Sequence, residues 1–199
     1  MSPIRTPDFP IDPIFVDRWS PRAFTSEEIP AEQLMAFLEA ARWAPSSYNI
    51  QPWRFVYARR GGNGWTSILE ALNPFNQAWA QHAAVLVVVL SAAEAPASDG
   101  EAARPNPAHA FDAGAAWASL ALQAHLSGWA THAMGGFDAA KLRQALRALN
   151  GLALHAVIAI GRKADVSTLP VDLQDDESPS GRRALSETVF EGAMPSLQP

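Results

Sequence analysis

Two hydroxyls and two amides fall close together at Ser46, Ser47, Asn49 and Gln51, inside the stretch APSSYNIQPW that runs from Ala44 to Trp53. An amide presents a donor and an acceptor at once, so two of them in a proline-bounded segment can read a planar heterocycle whose edge alternates C=O and N–H. Upstream, Arg18, Ser20 and Arg22 bring two guanidiniums and a hydroxyl within five positions. Such a group can meet a phosphate, with the arginine forks supplying paired donors. Each pattern also has a plainer use. Ser, Asn and Pro are what a helix-to-strand turn needs for its geometry, and the Arg18–Arg22 stretch equally suits a solvated basic turn.

Other chemistries lack their residues. The chain has no cysteine, which removes disulfides, thiolate metal sites and cysteine nucleophiles, and leaves the redox compartment open. His82, His109, His125, His132 and His155 form neither an H-x3-H pair nor an HExxH motif, so a zinc hydrolase has no ligands at the spacing it needs. Neither GxGxxG nor GxxxxGK[ST] occurs, which counts against Rossmann and P-loop nucleotide sites. A formal net charge of −5 argues against a nucleic-acid footprint. Any anionic ligand must therefore meet a locally assembled basic site.

The stretch APSS-x-N-x-QPW, with Arg18-Trp-Ser20-Pro-Arg22-x-Phe24 ahead of it, resembles the flavin-binding signature of the nitroreductase family, and the likeness runs from Asp17 to Met194. The resemblance implies an α+β fold: a central mixed β-sheet flanked by helices, with a C-terminal arm reaching the partner subunit. It implies a homodimer holding one tightly bound FMN in each of two interface sites. It further implies hydride transfer from NADH or NADPH through flavin N5 to a nitroaromatic, quinone or related small acceptor, in a ping-pong cycle. The flavin then carries the chemistry and the protein supplies position and electrostatics, so no acid–base residue is expected.

By the same resemblance, Arg18, Ser20 and Arg22 serve the phosphate and ribityl end. Ser46 and Ser47 belong to the cofactor set, while Asn49, Gln51 and the backbone of Gly135 and Gly136 serve the ring. The closing segment from Arg182 to Phe190 is similar to the family's R-x-L-x-E-x-V ending, with Arg183 the closer match for a phosphate arginine and Arg182 the alternative. Asn76 matches a flavin-contacting position and equally suits a helix cap bonding the Ala78 or Trp79 N–H. Trp79 stands where some relatives carry a lysine, so either the arginines suffice or the site is shaped differently. A flavin carrier or sensor with little turnover, and an enone reductase or dehalogenase on the same fold, are the alternatives.

Elements must hold these residues in place. Residues 1–14 contain four prolines and read as an irregular arm before a single domain at 15–194 and a tail at 195–199. A short helix is expected between Phe15 and Phe24, ending near Ser20-Pro21. Pro30 opens a helix with Leu34, Phe37, Leu38 and Ala41 on its core face, and Pro45 stops it after Ala44. Trp53–Arg59 reads as a strand, Trp65–Leu72 and Gln77–His82 as short helices. Val85–Leu90 is apolar without alternation and so predicts a strand buried on both faces. Residues 91–107 read as a variable loop. Ala108–Leu126 is a long helix, apolar nearly all round, which belongs in a core or a dimer seam. Thr131–Phe137 reads as a connection, and Asp138 caps a helix that runs to Leu149 and stops at Asn150-Gly151. Leu154–Ile160 is a second buried strand, and 164–194 forms a C-terminal extension, acidic and irregular from Val171 to Glu177.

Hydrophobic residues make up 48% of the chain and charged ones only 18%, a low charge for a monomer, which leans towards an oligomer. The N-terminus shows no continuous apolar signal region, and the longest strongly apolar run, Ala83–Leu90, falls well short of the ~20 residues a membrane helix needs. The expected location is the cytoplasm, with no membrane or nucleic-acid partner.

Overall fold

The computed structural model describes residues 5–95, 103–148 and 150–194. The 195–199 tail, the middle of the 91–107 loop and Leu149 lie outside the described residues. In chain order come α1 (Ile14–Asp17), α2 (Ala31–Arg42), β1 (Trp53–Arg59), α3 (Trp65–Ala71), α4 (Pro74–Ala80), β2 (Val85–Ala92), β3 (Glu94–Ala95), β4 (Arg104–Pro105), α5 (His109–Leu126), β5 (Ala130–Met134), α6 (Ala139–Leu146), β6 (Leu152–Gly161) and α7 (Val171–Gln174).

The α+β class holds, but the four-stranded sheet, ordered β1-β2-β6-β5, is antiparallel at every described ladder and not mixed. The register gives the reason. Arg59 at the end of β1 faces Val85 at the start of β2, so the α3–α4 pair returns the chain to the end of the sheet it left. A parallel neighbour would need a crossover to the opposite end.

Every residue of β2 up to Ser91 is buried, because helices cover both faces of the sheet. Leu86, Val88 and Leu90 point to one side, where Phe24, Ile68, Trp79 and Leu142 complete the packing. Val85, Val87 and Val89 point to the other, against Leu34, Phe37 and Ala41 of α2 and Ala113, Ala116, Leu120 and Ala124 of α5. The alanine-rich face of α5 lets α2 approach closely. Only that face is covered within one chain: Phe111 and Leu126 of α5 are 83% and 70% exposed.

Several boundaries shift from the sequence expectations, each for a local reason. The helix read as Gln77–His82 begins at Pro74, because the Asn73 side chain caps it by accepting the Asn76 N–H at 2.8 Å. Proline at the first helical position loses no bond there. The stretch read as a connection, Thr131–Phe137, is mostly strand β5, bonded to β6. Helix α6 stops at Leu146, with Arg147 in the left-handed conformation (φ 49°) in place of the predicted Asn150-Gly151 stop. Within 91–107, β3 and β4 pair as a short ribbon, and α7 gives the acidic 171–177 stretch one helical turn.

Strand β6 carries a bulge opposite Val89 and Leu90, where the register passes from Ala156 to Leu154 and leaves His155 unpaired. A bulge re-aims a side chain. Here His155 Nε2 lies 2.6 Å from the buried Ser91 Oγ, and His109 Nδ1, in the first turn of α5, lies 2.7 Å from the same oxygen.

Candidate functional site

Three groups of the predicted residues emerge. The first lies along α1 and the strip that follows it. Arg18 is partly buried, and burial together with the neighbouring charges of Arg5 and Arg182 pushes its pKa down from the usual arginine value. Arg5 is lowered by burial and again by Arg182. Three guanidiniums from opposite ends of the chain thus share one field, and none of them forms an ion pair among the described residues. Asp17 offsets the charge of Arg5 in part, and an anion set among the three cations would relieve the repulsion that remains. Arg5, Arg182 and Arg183 line one cavity of about 570 Å³ with Phe9, Phe15 and Leu185. Arg18 and Ser20 line a neighbouring one of about 370 Å³ against Trp117, Ala121 and Leu122 of α5. Both volumes lie in the range of small-molecule sites. Arg5 was invisible to motif reading because it sits in the proline-rich arm, outside any pattern.

Arg22 takes a different position. Its guanidinium stands 5.8 Å over the Phe75 ring, with Nη1 4.0 Å from the Glu177 carboxylate. Its Nε is buried without a hydrogen-bond partner among the described residues. The preceding carbonyl, Pro21 O, lies 3.2 Å from His132 Nδ1, and His132 stacks 4.7 Å from Trp79.

The second group joins α4 to the turn after β5. Asn76 Nδ2 donates to Gly136 O at 3.2 Å, and the Asn73 N–H donates to the same carbonyl at 2.9 Å. Asn76 is therefore not the cap; that role falls to Asn73. The two glycines differ. A Cβ at Gly136 would collide with the Asn73 amide and meet Asn76 Nδ2 at 3.0 Å, whereas a Cβ at Gly135 meets nothing within 4 Å. Glycine at 136 is demanded by the two amides, while Gly135 leaves its backbone open to an approaching molecule. Trp79 lies in the core with no exposure and packs on Phe24, so it does not take up the duty of a surface lysine.

The third group is the turn after α2. Tyr48, Asn49 and Gln51 all have positive φ, at 50°, 55° and 52°, a conformation that L-residues other than glycine rarely adopt. Local bonds hold it: Gln51 N–H donates to Ser46 Oγ at 3.0 Å, Gln51 Nε2 to Asn49 O at 3.1 Å, and Ser47 N–H to Asp112 Oδ2 at 3.2 Å. Strain of this kind clusters at ligand-binding loops. The Asn49 side chain makes no bond within the described residues and is exposed. This turn does not line the cavity that Arg18 and Ser20 border. It sits beside Asp112 in the first turn of α5, while the arginine strip faces Trp117 to Leu122 further along that helix. Nine residues separate Asp112 from Ala121, roughly 14 Å of helix axis.

The family profile of the nitroreductases matches residues 16–162, which contain Arg18 and Arg22, the strained turn and the glycine pair. The chain belongs to the nitroreductase family. Membership makes it an NAD(P)H-dependent oxidoreductase. Among solved structures it is similar to an oxidoreductase containing FMN, at 45% identity and a TM-score of 0.93 over 96% of each chain. It is also similar to a protein from Desulfovibrio desulfuricans described as a nitroreductase in complex with FMN, at 27% identity and a TM-score of 0.74, over 95% of this chain and all of the other. A protein named NADH dehydrogenase from Thermus thermophilus is 30% identical over 74% of this chain and 84% of its own length. Among the described residues no helix is long and apolar enough to cross a membrane.

Proposed function

We propose that this member of the nitroreductase family binds FMN and passes hydride from NADH or NADPH to a nitroaromatic, quinone or related acceptor. The observation that carries the reading is the convergence of Arg5, Arg18 and Arg182 from both ends of the chain without an ion pair among the described residues, the charge of Asp17 offsetting Arg5 only in part. A dianionic phosphate would relieve their mutual repulsion, and the partnerless Arg22 Nε offers a further buried donor nearby in sequence. Arg183 borders the same cavity. The bound flavin would supply hydride acceptance and donation at N5 in alternating half-reactions.

What the chain itself would do is hold and orient. Arg18, Ser20, Arg22, Arg182 and Arg183 bind the phosphate end by charge-assisted bonds. Asn49 presents a free amide from a backbone fixed by the Ser46, Ser47 and Gln51 bonds. Gln51 spends one of its two amide N–H donors on Asn49 O and keeps its carbonyl for a ligand. Gly135 leaves room for a ring against its main chain. No side chain moves a proton in this scheme. Turnover is favoured over a carrier role because Trp129 and Phe137, the aromatics on either side of the glycine pair, are engaged elsewhere. Trp129 is core, bonded through Nε1 to Gln33 at 2.7 Å, and Phe137 packs on the buried cluster under α4.

The working unit is a homodimer in this reading. The strained turn and the arginine strip lie at different points along α5, and the exposed side of that helix bears Phe111 and Leu126. Pairing two chains along α5 buries that side and sets the turn of one subunit against the arginines of the other, so that each flavin site is shared. Obligate interfaces of this type resemble a core cut in half.

The test is direct. Purified protein should be yellow, and the chromophore released on denaturation should run with FMN and not with FAD or riboflavin. Colourless protein that takes up no added FMN refutes the reading. Sedimentation should give a dimer at micromolar concentration.

A further inference from the structure

Glu177 stands three residues past the end of α7, with its side chain only 2% exposed. Its Oε1 accepts the Arg22 N–H at 2.8 Å and the Ala23 N–H at 2.9 Å, and its Oε2 accepts the Arg22 N–H at 3.0 Å. One carboxylate therefore holds two consecutive backbone donors of the strip that bears Arg18, Ser20 and Arg22. Its charge is countered by Arg22 Nη1 at 4.0 Å. The residue is anchored from behind as well: Leu169 and Leu173 are buried in the core, and the Glu177 N–H donates to Gln174 O at 3.1 Å.

Beyond Glu177 the chain loses its hold on the body of the protein. Residues 180–194 are exposed throughout, and the next tie, Leu185 N–H to Asp8 Oδ2, is long at 3.3 Å. Arg182 and Arg183 follow Glu177 by five and six positions, a reach of at most about 20 Å even fully extended. The same carboxylate thus fixes the near end of the arm that carries these two arginines and the backbone of the strip they face.

We propose that Glu177 is a positioning residue for the phosphate site, holding the two arginine-bearing segments at a set separation so that arm docking and phosphate binding are linked. The inference rests on the FMN reading above. A carboxylate beside a phosphate site repels its ligand, so its presence needs a compensating role. Here that role is to satisfy two buried N–H groups that would otherwise lose hydrogen bonds. Linkage is reciprocal: whatever FMN gains from a docked arm, the arm gains in protection from bound FMN.

The experiment uses the full-length protein with E177A, E177Q and E177D, titrating FMN and riboflavin by fluorescence quenching and following tryptic cleavage after Arg182 and Arg183 with and without FMN. E177A should weaken FMN about ten- to a hundredfold, with riboflavin changed by less than about threefold on the same scale. It should also speed cleavage of the arm in the apoprotein and lose most of the protection that FMN gives wild type. In E177Q the amide oxygen can still accept both N–H groups held by Oε1, so arm protection and most of the affinity should return. E177D withdraws the carboxylate by one methylene while keeping its charge, and should follow E177A; it also serves where E177A does not fold. Equal loss of both flavins, or arm cleavage in the apoprotein as slow in E177A and E177D as in wild type, overturns the proposal. A wild-type protein that binds neither flavin refutes the FMN reading instead, and the apoprotein cleavage comparison still decides the latch.

Discussion

Replacing Arg182 by alanine should separate two effects that usually travel together. In the ligand-free protein Arg182 repels Arg5 and Arg18, and among the described residues its own bonds are only to the Ser180 and Gly181 carbonyls of its own loop. Its loss should therefore leave apoprotein stability within about 0.5 kcal/mol of wild type, as for a surface substitution without a structural role. Towards FMN it should forfeit a charge-assisted contact of about 1.5 to 3 kcal/mol, or roughly ten- to a hundredfold in affinity. At FMN equal to a hundred times the wild-type Kd, ligand stabilisation is about 2.7 kcal/mol, and a hundredfold weaker variant retains only about 0.4 kcal/mol. For a chain of this size these figures correspond to thermal shifts of roughly 5–11 °C and about 1 °C. Differential scanning fluorimetry reads both numbers in one experiment, with riboflavin as the ligand that lacks the phosphate. The gap between wild type and variant should narrow in molar salt, where the Debye length falls to about 3 Å. An Arg182→Ala protein with a markedly lower apoprotein midpoint, or one whose FMN and riboflavin shifts shrink together, would show that this arginine holds the fold and not an anion.

Gly136→Ala should lower stability by about 1–3 kcal/mol through overpacking against Asn73 and Asn76, while Gly135→Ala should leave the ligand-free midpoint unchanged and weaken flavin binding; equal effects on the midpoint would contradict the contrast in space around them. Asn49→Ala, forced into positive φ, should cost about 1 kcal/mol, near the low end of the left-handed penalty, whereas Asn49→Gly should spare stability; both should bind flavin more weakly, and a glycine variant with full affinity would remove the amide from the site. Burial first, with Arg22 adding to it, pushes the His132 pKa below its ordinary value against the opposing pull of the Pro21 carbonyl, and burial with His109 lowers His155. The unfolded chain then binds protons that the folded one refuses, so stability should hold above about pH 6.5 and fall as pH drops through that value towards the lowered folded pKa values. Urea midpoints from pH 8 to 5 check this, and His132→Gln should flatten the slope.

The sequence exposed the parts of the fold whose physics is local. Pro45 ends α2 within a few residues of the predicted stop, β1 keeps its predicted bounds, and the unalternating valines of β2 do lie between two helical layers. Strand β5 was missed because ATHAM offers only five residues with a glycine pair behind it, and only pairing to β6 makes it a strand. The turn at Ser46–Gln51 was legible as a turn, yet its three left-handed residues were not, since Tyr and Gln give no sign of positive φ. Arg5 and Glu177 come beside the candidate residues Arg18 and Arg22, Glu177 through contacts made across most of the chain. No window of sequence contains such contacts, so only the folded arrangement reveals them.

The hydroxyl of Ser91 carries one proton and faces two imidazoles. It can donate to only one ring nitrogen, so the other ring must donate to it, and the tautomers of His109 and His155 are set in opposition. If His109 Nδ1 accepts, His155 must bear its proton on Nε2; if the hydroxyl turns round, His109 must hold its proton on Nδ1 and His155 Nε2 must be bare. The bonds along the chain thus have a direction, and reversing it requires the hydroxyl to rotate and both rings to change tautomer together. Nitrogen chemical shifts of the two rings should accordingly report complementary protonation patterns, and Ser91→Ala should erase the correlation.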